Sequence, residues 1–510
     1  MKKVILLVAV LLSTSLVCGA KFLMPVRIQS TNHIFPDSFP IGQTLDQAIH
    51  NETVIEGDTI IVKGGTWNAH LNVNKSITLQ GGYQGLTILD GGGNGTVVDI
   101  SVGNVTLNYF TVRNGVYGIR IRAINMSVSN TVLENNSIVS NDNGIFISNS
   151  NNNVLRNNNL TGNYYQNFEV QGSALQDFIQ DIDTSNTIND RPIYYWVNRT
   201  VGTIPSDAGY VAVVNSTNVT VENLNDNNFQ GVLLAYATNS TVENNTLSSL
   251  LHNYGISLRF SKYNLVRNNT LTEKSGIGLS FEFSDNNTIV YNDVEKNGLG
   301  ISLTNSFNNT AYRNNFVRNY LQEYHDASSV FDNGREGNYW DDYEKYGGSD
   351  TNGDGIGDTM TPYHGVYDHP LMEPWKMIRT FGIVRYGDKY NFTTLSNSTI
   401  ASPNWNRTRA IIGFNITSGT SESINITIPR NWLEGPFEIR LNASHSEPST
   451  PVNQDCTNSY ICLDYSPGTY MVEIIGKLVS GYRSGDINGN GTVDIYDAII
   501  LANHFNKSDP

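Results

Sequence analysis

The strongest constraint on this chain is a repeat. The words TVENNTL (Thr241 to Leu247), LVRNNTL (Leu265 to Leu271), IVYNDV (Ile289 to Val294) and AYRNNF (Ala311 to Phe316) recur every 22 to 24 residues. A second series interleaves with them: Gly231-Val-Leu-Leu, Gly255-Ile-Ser-Leu, Gly276-Ile-Gly-Leu and Gly300-Ile-Ser-Leu. Earlier copies are VLENNSI and VLRNNNL for the first series, and Gly118-Ile-Arg-Ile and Gly144-Ile-Phe-Ile for the second. Each unit holds short apolar stretches of period two, separated by Asn and Gly that tolerate left-handed backbone. One unit cannot bury its apolar face alone. Stacked coils can, each adding about 4.8 Å along an axis, with Ile, Val and Leu inward and Asn laddering at the corners. The repeat therefore predicts an all-β chain built on a parallel β-helix. TLDQAIHN (Thr44 to Asn51) reads as a short amphipathic helix with Leu45, Ala48 and Ile49 on one face, placed to cap the N-terminal end.

The domain plan follows from where the repeat starts and stops. Residues 1–20 have the layout of a secretory signal peptide: two lysines, an apolar run from Val4 to Leu12, then small residues ending at Ala20. The run is shorter than the roughly 20 residues a spanning helix needs, and no second hydrophobic segment of spanning length follows. The β-helix is expected over 21–377, interrupted near 163–210. From 378 to 480, segments such as SINITIP and GTYMVEIIG alternate apolar and polar, as in a β-sandwich. Residues 481–510 form a short loop-helix. With Cys18 lost with the signal, Cys456 and Cys462 are expected to pair as a disulfide. The expected location is secreted or cell surface. Sequons at Asn94, Asn125, Asn215, Asn268, Asn308, Asn415 and Asn442 agree with a glycoprotein. A formal charge of −15 without a basic cluster argues against nucleic acid.

Two loops have the ligand spacing of calcium sites. In SDTNGDGIGD, Asp350, Asn352, Asp354, the Ile356 carbonyl and Asp358 fall at positions 1, 3, 5, 7 and 9, with Gly355 at the sharp turn. In GDINGNGTVDIYDAIILANHF the same positions are Asp486, Asn488, Asn490, the Thr492 carbonyl and Asp494, and Asp497 stands at position 12. Ile495, Ile499, Ala502 and Phe505 then give one apolar helix face. Calcium is the expected cofactor.

Two resemblances sharpen this reading. GDTIIVKGGTWNAHLNVNKSITLQGG (Gly57 to Gly82), the Asn-Asn coils, RPIYYWVN (Arg191 to Asn198) and GNYWDDYEKYGGSDTNGDGIGDTMTPY…DHPLM (Gly337 to Met372) resemble the NosD-like group of carbohydrate-binding and sugar-hydrolase β-helix proteins, including archaeal members, over roughly Val26 to Met377. That resemblance implies a right-handed parallel β-helix and export. The C-terminal loop is similar to one calcium-binding half of a dockerin module, which implies a cohesin-like partner.

Because the group is named for a copper-binding protein, His364, His369, Met372 and Met377 are candidate soft ligands, although DHPLM reads better as closing the last coil. The face around Arg120, Arg122 and Asp142, and the pair Asp285 and Asp293, are candidate catalytic carboxylate arrangements, but neither repeats at the coil period. Tyr194, Tyr195 and Trp196 are a candidate aromatic platform for sugars, with inward packing as the alternative. The expected function is recognition of a polysaccharide or surface glycan by a non-catalytic protein with calcium-stabilised loops and a docking C-terminus. The alternatives are a secreted polysaccharide lyase or glycosidase, and a copper-binding accessory protein.

Overall fold

The computed structural model describes residues 30–478, apart from short stretches, the longer ones at 249–253, 360–368 and 447–452. The segments read above as a signal peptide and a C-terminal calcium loop lie outside the described residues.

Residues 30–340 form a parallel β-solenoid, and its strands run from sheet to sheet in the order the repeat requires. One face carries a seven-stranded sheet from Asn32–Phe35 to Asp181–Ile182, and another a five-stranded sheet from Leu71–Val73 to Gln166–Gln171. A 13-stranded sheet from Gly65–Asn68 to Leu321–His325 runs the length of the molecule, and two six-stranded sheets complete the later coils. The register places like residues over like: Leu107, Leu133 and Leu155 form one inward column, and Val242, Val266 and Ile289 another. One Asn at this corner of each later coil is buried. Asn245, Asn269, Asn292, Asn314 and Asn338 form a ladder in which each Nδ2 donates to the next Oδ1 at 2.8–2.9 Å. The residue just before the ladder Asn turns the corner in left-handed backbone, as at Asn244, Asn268, Tyr291 and Arg313. At the N-terminal end the helix is Leu45–Ile49, with Leu45, Ala48 and Ile49 buried and Thr44 and Gln47 forming a capping box.

Within the expected interruption the chain reverses. Thr187–Ile188 and Arg191–Val197 pair antiparallel through the two-residue turn Asn189-Asp190, both residues at positive φ (48° and 66°). All the other strand pairs of the 13-stranded sheet are parallel. The core changes sides at the same place. Before the turn, Leu89, Val112, Ile138, Leu160 and Ile188 face one apolar cluster. After it, Tyr210, Ala212 and Val214 still face that cluster, whereas Val211 and Val213 face a second one that continues through Ile256, Leu279 and Ile301. Because strand direction and core side invert together, the sense of winding is the same in both halves. The result is two laterally offset solenoid halves sharing one sheet, whose middle strands (Arg191–Val197, Tyr210–Val214, Val232–Ala235) are apolar on both faces.

From Ile378 to Leu478 the chain forms two five-stranded antiparallel sheets. One apolar cluster includes Phe392, Ile426 and Leu463 of the first sheet and Phe414, Ile439 and Val472 of the second. The Phe392 and Phe414 rings stack between the sheets at 5.7 Å.

Candidate functional site

The offset of the two halves leaves a cleft. One wall is the strand Gln166–Gln171, the last of its sheet, whose outward column reads Asn72, Asp99, Arg120, Phe146, Glu169. The edge of this strand is met by a side chain: Gln230 accepts from the Asn167 N–H at 2.8 Å and donates to the Phe168 carbonyl at 3.0 Å. The next residue, Gly231, holds φ at 142°, and a Cβ there would stand 2.8 Å from the Tyr254 carbonyl oxygen. The other wall is the outward side of the shared sheet where the first core runs out, so Leu233 gives way to Ser257 and Ala235 to Arg259. The cleft measures about 380 Å³ out to open solvent, and its polar lining is Gln166, Glu169, Tyr210, Gln230, Tyr254, Ser257 and Arg259.

Its electrostatics centre on Arg259, whose Nη1 lies 3.6 Å from Glu282 Oε2 on the neighbouring strand. Burial pushes the Glu169 carboxyl above the usual range, against the opposing pull of the Gln171 amide and the Arg259 charge. Burial also raises the Tyr210 phenol, and the Glu169 charge adds to the effect. The Tyr254 phenol is raised by burial while Arg259 opposes and both Glu169 and Glu282 reinforce. Gln166, Tyr210 and Ser257 are each less than a tenth exposed. Among the described residues, the Gln166 amide, the Tyr210 hydroxyl and the Ser257 hydroxyl have no hydrogen-bond partner. Their polar atoms open on the cleft, where water can satisfy them.

Sequence reasoning did not single out Glu169, Arg259 or Glu282. Tyr194, Tyr195 and Trp196 sit on the shared sheet and alternate between the two cores. Tyr195 is buried with its hydroxyl donating to the Phe178 carbonyl at 2.7 Å. Tyr194 and Trp196 pack on the other side, where the Tyr194 hydroxyl donates to Asp207 at 2.9 Å. Arg120 and Arg122 both chelate Asp99, at 2.8–3.2 Å. Asp142 stands at a corner and uses its backbone to hold Gly115 and Tyr165. Asp285 pairs with Lys262 at 3.0 Å, and Asp293 accepts from Asn315 at 2.6 Å.

The first acidic loop is described and the second is not. Asp350 accepts from the N–H groups of Asn352, Gly353 and Gly355, and Asp358 from the Thr351 N–H and hydroxyl. Those bonds, Gly355 first for Asp350 and the Thr351 hydroxyl first for Asp358, lower both carboxyl pKa values. The loop is tied to the solenoid end, since Ile356 bridges Leu371 and Leu371 N–H donates to the Asn338 carbonyl. Asp486, Asn488, Asn490, Thr492, Asp494 and Asp497 lie outside the described residues.

Among the described residues no three His, Cys, Asp or Glu side chains gather as a metal cluster. His369 Nδ1 is engaged by Asp332 at 3.0 Å and Met372 packs on the second core; His364 and Met377 lie outside the described residues. Cys462 is an unpaired, half-buried thiol, and Cys456 lies outside the described residues. No helix among the described residues is long and apolar enough to cross a membrane.

Comparison with known proteins adds a family likeness. A family model described as periplasmic copper-binding protein (NosD) matches residues 179–345, about a third of the chain, which includes the shared sheet from Thr187–Ile188 onward and the second solenoid half. No curated protein sequence matches. Among solved structures, the Dettilon tailspike protein aligns at 9% identity over 83% of this chain and 88% of its own, with a TM-score of 0.27. An alginate lyase from Paenibacillus sp. str. FPU-7 aligns at 12% identity over 59% of this chain and 95% of its own, with a TM-score of 0.25. A PL6 family polysaccharide lyase from Pseudopedobacter saltans aligns at 15% identity over 62% and 95%, also at 0.25. At those TM-scores the three alignments carry no argument about activity; the NosD likeness of residues 179–345 is what this chain resembles in sequence.

Proposed function

We propose that this is an exported β-solenoid protein that recognises a glycan or other surface polymer in the cleft between its two halves. The observation that carries the reading is the cleft lining: Gln166, Tyr210 and Ser257 bring polar side chains beside Arg259 and Tyr254, the mixed donor, acceptor and ring surface that suits a polyhydroxylated ligand. A glycan hydroxyl replaces water at each group without leaving a buried donor unpaired. In this reading both acidic loops bind calcium, the two C-terminal sheets pack as a sandwich that acts as a spacer, and the C-terminal half-module docks a cohesin-like partner.

The test is retention of the calcium-loaded full chain on immobilised neutral and uronate polysaccharides, alongside Ser257→Leu, which fills the cleft from an outward position of the sheet. The expected result is retention on at least one polysaccharide class and at least a tenfold loss in Ser257→Leu at unchanged melting temperature. Retention on none, or equal retention of the variant, overturns the assignment of the cleft.

A further inference from the structure

The corners flanking the six-stranded sheet from Gly202–Ile204 to Thr310–Tyr312 share one plan: a residue in left-handed backbone, then a buried residue, then a residue at the start of a strand. Asn218, Asn239, Asn286 and Asn308 turn the corner before this sheet and Asn244 and Asn268 the corner after it, with φ of 50–56°. In all six the third residue is threonine: Thr220, Thr241, Thr288, Thr310, Thr246 and Thr270. Where Tyr263, Tyr291 or Arg313 turns the corner, the third residue is Leu265, Asp293 or Asn315. Left-handed backbone favours asparagine and strands favour threonine, so each residue alone has a structural reason. Their pairing has none. Threonine placed for the strand would follow Tyr263, Tyr291 and Arg313 as well. Threonine belonging to every asparagine corner would follow Asn223, and Asn130, Asn152 and Asn157 of the first half, yet those lead to Asn225, Val132, Val154 and Asn159. In the first half only Asn104 and Asn135, among the described left-handed corners, keep the spacing, with Thr106 and Ser137.

Asn-x-Ser/Thr is the acceptor spacing for an N-linked glycan. The side chains are free to take one. Asn218, Asn239, Asn244 and Asn308 are exposed, and Asn268 and Asn286 are half-buried. The corners are held through the backbone, as where the Asn239 N–H donates to the Lys262 carbonyl. Among the described residues the amide groups of Asn218, Asn239, Asn286 and Asn308 make no hydrogen bond. Asn268 Nδ2 donates to Asn244 Oδ1, a bond that one remaining N–H can keep after modification. We propose that these six asparagines are N-glycosylation sites whose glycans shield the six-stranded sheet from both edges. In the transfer, Asn Nδ2 forms a bond to the anomeric carbon of a sugar carried on a phosphate donor of the secreting cell. The bond from that carbon to the donor's phosphate oxygen breaks, and the amide proton leaves with the phosphate. The acceptors form three pairs on consecutive coils, about 4.8 Å apart, so the two glycans of a pair crowd each other and each pair carries at least one. The far corner of the neighbouring sheet has Glu273, Lys296 and Arg318 at the left-handed position and stays bare. This rests on the chain being exported and is independent of what the cleft binds.

The experiment sequences the peptides of the full chain recovered from the medium or surface of its own cells, by electron-transfer fragmentation, which leaves a sugar on its side chain. Expected are sugar masses on at least one asparagine of each pair, Asn218 with Asn239, Asn286 with Asn308, and Asn244 with Asn268. None is expected on Asn130, Asn152, Asn157 or Asn223, which turn the same corner without the threonine. The double variant Thr220→Val, Thr241→Val keeps two β-branched side chains at the same places; it should lose the sugar on Asn218 and Asn239 while the other two pairs keep theirs. Thr220→Ser with Thr241→Ser should retain it. An exported chain with bare peptides at all six positions, or sugar surviving on Asn218 or Asn239 in the valine variant, overturns the assignment. A chain found only inside the cell overturns export, and glycosylation with it.

Discussion

The side chain of Asn292 serves three coils. Its Oδ1 accepts from the backbone N–H and the Nδ2 of Asn269, and its Nδ2 donates to the carbonyls of Val266 and Val290 and to Asn314 Oδ1. Asn292→Ala removes all of these at a fully buried position and strands the Asn269 N–H and the Val266 carbonyl. The expected cost is about 2–4 kcal/mol, the sum of one or two unsatisfied buried groups, read as a drop in urea midpoint at constant m-value. A second expectation concerns pH. Burial raises the Asp99 carboxyl, but the hydrogen bonds and charges of Arg120 and Arg122 outweigh it and the net shift is downward. A folded-state pKa below the unfolded value of about 3.9 gives stability that is full above that pH and is lost as pH falls through the folded value. Asp99→Asn should therefore destabilise at pH 7, and its gap to the parent in urea midpoint should narrow in acid; an equal gap at both pH values would count against the ion triad. At this scale the sequence was partly legible. The Asn-Asn words announce their ladder because the signal is local and repeated. Glu169 was hidden because its neighbours in YYQNFEVQG explain nothing; its meaning arrives with Gln230 and Arg259, brought to it only by the fold.

Among the elements, the decisive one is the turn Asn189-Asp190. Two left-handed residues joining antiparallel strands suit a two-residue hairpin, where Gly is free of the Cβ penalty and a β-branched residue is not. Asp190→Gly should hold or raise the melting temperature, whereas Asp190→Val should cost about 1–2 kcal/mol. Equal effects from the two substitutions would show that backbone conformation there is not limiting. The reversal was not readable beforehand because Asn-Asp in an Asn-rich coil looks like one more corner. The doubly apolar strands did leave a trace, in YVAVV (Tyr210 to Val214) and GVLLA (Gly231 to Ala235), which break the alternation of the other coils. Continuous apolar runs of this kind belong to strands covered on both faces. Read beside the interruption at 163–210, they carry the information that a second layer covers the sheet.

For the whole molecule, calcium bound as proposed in the loop Asp350–Asp358 would be tied to the solenoid end, because Ile356 is bridged to Leu371 and Gly357 N–H donates to the Pro370 carbonyl. Millimolar calcium should raise the melting temperature of the full chain in proportion to the logarithm of free ion over its dissociation constant. Asp354→Ala should remove the part of that shift due to this loop and Asp486→Ala the part due to the tail. A calcium shift unaltered in Asp354→Ala would exclude the first loop. The later coils carry a different consequence. Each repeats the one before it residue for residue, so Thr288 lies over Thr310 and Asn287 over Asn309. The cleft lining ends at Arg259, and the coils beyond Glu282, which faces Arg259, add length. Excising 288–309 joins Asn287 to Thr310 in phase and should yield a folded chain, shorter by about 4.8 Å along its axis, with cleft binding unchanged. The second half is thus an adjustable ruler: lineages that gain or lose a coil there can reset how far the cleft stands from the far end of the solenoid, without touching the cleft itself.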